Sequence, residues 1–76
     1  MKEKILELLK GLKPDVDFEH NDHLIEDGAL ASLDIIQIIG ALDDEFGVSV
    51  PAMEIRPANF NSVDGIVAMV TRLQEE

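Results

Sequence analysis

The chain has 76 residues, no cysteine, and sixteen acidic side chains against six basic ones, a formal net charge of −10. That length accommodates one domain over residues 1–76, and the missing cysteine excludes disulfide staples, thiolate metal sites and a cysteine nucleophile. The charge repels phosphate backbones, so nucleic acid and anionic membranes are disfavoured and partners with basic patches are favoured.

The apolar residues make up 46% of the chain, mostly Ile, Leu, Val and Ala with three Phe and no Trp or Tyr. This predicts a small aliphatic core and argues against disorder. Charges thread through residues 1–13, so no signal peptide is expected, and no apolar run approaches a membrane span. The expected protein is cytoplasmic and monomeric, with no membrane insertion.

The first predicted helix carries Ile5, Leu8, Leu9 and Leu12 at i, i+3, i+4, i+7 spacing. Lys2, Glu3, Lys4, Glu7 and Lys10 fill its other face, and Pro14 stops it. Residues 14–31 then form a long polar loop that Val16, Phe18, Leu24 and Ile25 can pin to the core. Within it, residues 15–26 place oxygen-bearing side chains at several positions of a calcium loop. However, His20 stands where that loop needs glycine and Asp22 where it needs an apolar residue, so at most weak divalent binding is expected. His20 and His23 have the i, i+3 spacing of a metal pair but lack a third ligand, and read as solvated. No resident metal is expected.

The second helix begins near Ser32. Ile35, Ile38, Ile39, Leu42 and Phe46 form its buried stripe, and Gly47 is the expected left-handed terminator. Residues 48–61 open with Val-Ser-Val-Pro, which has an extended look but no partner strand anywhere in the chain. Pro57 disfavours helical geometry at Arg56, so this connection holds at most a short helix. The last helix begins near Ser62 with the stripe Val63, Ile66, Val67, Val70 and Leu73, and with Met69 beside it. Asn61 or Ser62 can cap it, and Asp64 suits the positive end of its dipole. The predicted fold is therefore all-α: a four-helix bundle with three longer helices, a short third helix and a long first loop.

Ser32 is the residue around which function gathers. As a structural residue it reads as the helix N-cap. That role leaves Leu33 and Ile36 unexplained, because both lie well off the buried stripe at 100° per residue. They suggest an apolar contact offered to a partner, with Asp34, Asp43, Asp44 and Glu45 around it. A phosphate ester on Ser32 would gain from the helix dipole and the free N–H groups of the first turn. No glycine-rich phosphate loop and no Ser-His-Asp set is present, so an independent enzyme is not expected.

The segment LIEDGALASLDIIQIIGALDDEFGVSVP, together with NFNSVDGIVAMV, resembles the acyl carrier proteins, within the wider family of phosphopantetheine-bearing carriers. The resemblance implies that Ser32 receives 4′-phosphopantetheine from coenzyme A through a phosphopantetheinyl transferase. Ser32 Oγ would attack the β-phosphate of coenzyme A, with the base and metal supplied by the transferase. The terminal thiol would then hold cargo as a thioester for adenylating ligases and acyltransferases. It further implies that Leu33, Asp34, Ile36, Asp43 and Asp44 form the docking face. The family motif is Asp-Ser-Leu, whereas this chain reads Ala31-Ser32-Leu33. The alanine removes a cap and a carboxylate, so Ser32 is expected to take over capping, with Asp27 or Asp34 a partial substitute for the lost charge. The connection over residues 51–63 is similar to D-alanyl and related aminoacyl carriers, and Gln37 and Gly40 stand where fatty-acid carriers usually have an acidic and a larger apolar residue, which suggests partners other than the standard fatty-acid enzymes. The alternative is a helical interaction module that keeps the acidic docking face without the arm.

Overall fold

A computed structural model describes residues 1–75. It contains α1 (Lys2–Leu12), α2 (Ser32–Phe46), a single 3-10 turn (Ala52–Glu54), α3 (Pro57–Phe60) and α4 (Val63–Glu75), and no strand among the described residues. The expected four-helix bundle forms. Its short third element is split into two turns because Arg56 is extended, with φ −149° and ψ 157°, as the proline after it requires. Pro57 itself starts α3, where its missing N–H costs nothing.

α1 packs against α2 and α4, and α3 lies on α4. Ile5 and Leu9, Ile38 and Leu42, and Val63, Ile66, Met69 and Val70 supply the buried stripes of the three long helices. The predicted α1 stripe needs one correction. Leu6 packs on the core, whereas Leu8 lies half-buried beside Lys4, Glu7 and Glu45. Leu6 lies near Phe18 of the first loop and Val63 of α4. From the first loop, Phe18 and Leu24 are buried, and Leu30 joins them. Phe60 from α3 is fully buried, as no periodic pattern in its four-residue helix could indicate.

Gly47 ends α2 at φ 67° and ψ 26°, and its N–H donates to Asp43 O at 2.8 Å. A side chain at that backbone geometry would be strained. Gly65 matters for a different reason. A Cβ there would lie 3.1 Å from the Ala58 and Asn59 carbonyls, so glycine lets α3 sit directly on α4. Ser62, not Asn61, caps α4, its Oγ accepting from Gly65 N–H at 3.0 Å. Asn61 has turned to the first loop. Its backbone carbonyl accepts from Leu24 N–H at 2.9 Å, and its Oδ1 accepts from Ile25 N–H at 2.9 Å.

Glu54 is the one charged residue buried among the described residues. Arg72 Nη1 donates to both of its carboxylate oxygens at 2.9 Å, and Asn59 Nδ2 donates to its backbone carbonyl at 2.7 Å and to Oε1 at 3.1 Å. These contacts tie the 3-10 turn to α3 and α4, and satisfy a charge that would otherwise be costly to bury. Arg72→Met is expected to destabilise the fold by about 2 kcal/mol, less than breaking a fully buried pair costs because the guanidinium is half-exposed. Glu54→Met combined with Arg72→Met should lose less than Arg72→Met alone, since no orphan charge remains. Urea unfolding midpoints check both.

Candidate functional site

Residues 24–31 deliver the chain to α2. Leu24 N–H is held by Asn61, Leu30 N–H returns to Leu24 O at 3.0 Å, and the Leu30 side chain is buried. The segment between them is therefore a closed loop anchored at both ends to the core. α2 begins two residues after Leu30.

The helix start differs from the expectation that Ser32 caps it. The N-cap is Ala31, with φ −94° and ψ 173°, and Ser32 is the first helical residue. The N-cap position, whose side chain can accept from the N–H groups of the first turn, is held by Ala31, so the Ser32 hydroxyl makes no capping bond. Ser32 is exposed and takes no part in the cap. The first ladder bond runs from Ile35 N–H to Ala31 O at 3.0 Å. The N–H groups of Ser32, Leu33 and Asp34 thus have no backbone partner among the described residues. A phosphoester on Ser32 Oγ fits this arrangement: a free hydroxyl beside the positive, donor-rich end of a 15-residue helix.

Alanine has no acceptor, so only the return half of a capping box forms. Asp34 Oδ2 accepts from Ala31 N–H at 3.0 Å. The same oxygen lies 3.3 Å from Lys13 Nζ at the end of α1. The Asp34 side chain keeps only 18% of its exposure. The Ala31 N–H bond, against partial burial and with help from the Lys13 charge, holds its carboxyl below the usual aspartate range.

The remaining expected docking residues lie along one exposed face of α2. Leu33 is 66% and Ile36 62% exposed, and Gln37, Gly40, Asp43 and Asp44 continue the face to the helix end. From Ser32 to Asp44 this face runs about 18 Å. Asp43 and Asp44 have no ion pair among the described residues, unlike Glu45, which pairs with Lys4 at 2.9 Å. Lys2 pairs with Asp64 at 2.8 Å and Lys10 with Glu19. Such exposed pairs stabilise little. Their consequence is electrostatic: the lysines that reach α2 meet Asp34 and Glu45 and leave Asp43 and Asp44 uncompensated.

The first loop does not assemble a metal cage. His20 Nδ1 faces the Asp17 carboxylate at 3.1 Å and His23 Nδ1 faces Glu26 at 3.2 Å, so the two imidazoles diverge to separate partners. No group of three potential ligands is present among the described residues. Asp27 is exposed, with its N–H bonded to His23 O at 2.8 Å, which places it in the loop turn upstream of the cap. Among the described residues, no helix is long and apolar enough to cross a membrane.

Comparison with known proteins matches the phosphopantetheine attachment site family over residues 2–70. The chain is 32% identical to aminoacyl carrier protein 1 of Bradyrhizobium diazoefficiens, covering 97% of this chain and 87% of that protein. It is 26% identical to the D-alanyl carrier protein of Lactobacillus helveticus, covering 99% of this chain and 96% of that protein.

Two outcomes follow from the alanine cap. Ala31→Ser supplies the missing acceptor and is expected to stabilise the protein by about 1 kcal/mol, read as a raised urea midpoint. The second concerns acid. Because the folded Asp34 carboxyl is more acidic than the unfolded one, its contribution is full above the unfolded pKa and is lost as pH falls through the folded pKa. The Ala31 amide proton, followed by NMR, should therefore titrate with a midpoint below the ordinary aspartate value.

Proposed function

This chain belongs to the phosphopantetheine attachment site family, whose members are carriers bearing a covalently attached 4′-phosphopantetheine, and we propose that Ser32 is the attachment residue and that the cargo is an aminoacyl group. The observation that carries the first part is Ser32 itself: an exposed hydroxyl at the first position of α2, with open N–H groups beside it. In the transfer, Ser32 Oγ forms a bond to the β-phosphorus of coenzyme A while the bond to 3′,5′-ADP breaks. The hydroxyl proton passes to a base of the transferase. When attached, the arm supplies a terminal thiol that holds an acyl group as a thioester.

This chain's own residues act by presenting that arm. Leu33 and Ile36 offer an apolar contact beside the attachment point, and Asp43 and Asp44 offer unpaired charge about three turns away. A partner enzyme with a basic rim around an apolar patch complements this face. The aminoacyl cargo rests on the two relatives, one described as an aminoacyl carrier and the other as a D-alanyl carrier. The partners are a phosphopantetheinyl transferase, an adenylating ligase that loads the thiol and an acyltransferase that unloads it. The carrier catalyses none of these steps. Ala31 is the one observation favouring the second reading, an interaction module without the arm, because it removes a carboxylate beside the modified serine.

Intact-protein mass spectrometry after incubation with coenzyme A and a broad-specificity transferase tests the reading. One phosphopantetheine is expected on the wild-type chain and none on Ser32→Ala. Ala31→Asp is expected to accelerate the addition. A wild-type chain that stays unmodified in cells and in this assay supports the module instead.

A further inference from the structure

We infer that Asp34 is the positioning residue of the Ser32 site, holding the first turn of α2 in place, and is not one of the carboxylates that meet a partner. This rests on Ser32 being the attachment residue. The first turn of a helix frays when its donors are not engaged, and Ala31 has no side-chain acceptor to engage them. The one side-chain bond to this turn among the described residues is the 3.0 Å contact from Ala31 N–H to Asp34 Oδ2. That bond acts on the residue immediately before Ser32, so it sets the direction from which the chain enters the helix and where the hydroxyl stands.

Lys13 completes the device. Its Nζ lies 3.3 Å from the same Oδ2, which joins the end of α1 to the start of α2 through one oxygen. Asp34 is thus largely enclosed and already paired, in contrast to the exposed Asp43 and Asp44. Two roles for Asp34 then make opposite claims about Lys13. If Asp34 met basic residues of the transferase, Lys13 would compete with them and its removal would help binding. If Asp34 positions the turn, Lys13 supports it and its removal hurts.

The test is the steady-state rate of phosphopantetheine addition to full-length Asp34→Ala, Lys13→Met, Lys13→Arg and Asp43→Asn chains, each confirmed helical by circular dichroism. Asp34→Ala, which removes the acceptor, is expected to lower kcat roughly fivefold, the population change that loss of a capping bond brings, with KM little changed, and Lys13→Met is expected to lower kcat in the same direction. Lys13→Arg should restore most of the rate, and Asp43→Asn should instead raise KM. Hydrogen exchange at the Ala31 amide should accelerate in Asp34→Ala and Lys13→Met alike. Lys13→Met alone carries the test if Asp34→Ala fails to fold. A raised or unchanged kcat/KM in Lys13→Met overturns the positioning role while leaving the carrier reading intact. A wild-type chain that accepts no phosphopantetheine at Ser32 takes down both.

Discussion

The arrangement of this protein depends on Asn61. It sits between α3 and α4, and it spends both its backbone carbonyl and its side-chain oxygen on the first loop, at Leu24 and Ile25. A loop of nineteen residues between α1 and α2 has many ways to run, and each must be given up on folding. Asn61 fixes the middle of that loop against the fold's other half, and the buried Leu24 and Leu30 side chains fix it against the core. What remains is a short, closed approach to α2. The position of Ser32 is therefore set by contacts thirty residues away in sequence, not by the helix it begins.

The division of the six cations follows the same economy. In a chain of net charge −10, four lysines on or beside α1 reach four separate places: α4, both ends of α2 and the first loop. Arg72 closes over the buried Glu54. Each exposed pair adds little to stability. Together they concentrate the basic residues around α1 and the α3–α4 side, so the outer face of α2 keeps its acidic residues uncompensated. The face that also carries the exposed Leu33 and Ile36 is therefore the electronegative one.

The start of α2 shows how a substitution in the family pattern is accommodated. With alanine at the cap, the first turn depends on Asp34 reaching back, and Asp34 depends on Lys13. Ser32 is spared from capping because it already lies inside the helix, where its hydroxyl faces solvent. The helix start is thus held by a residue three positions downstream of the cap.

The helices, their stripes, the glycine that ends α2 and the exposure of Leu33 and Ile36 were legible in the sequence, because each follows from spacing within one turn or from a single residue's backbone preference. So was the resemblance on which family membership rests. The rest needed the tertiary structure. Nothing local pairs Asn61 with Ile25, Arg72 with Glu54 or Lys13 with Asp34, and Leu6 rather than Leu8 meets the core, near Phe18 and Val63. Ser32, expected at the cap, lies just inside the helix, because Ala31 takes the extended backbone geometry of the cap. A sequence fixes what each segment prefers; which residues become partners is decided when the segments pack and bring distant side chains within hydrogen-bonding reach.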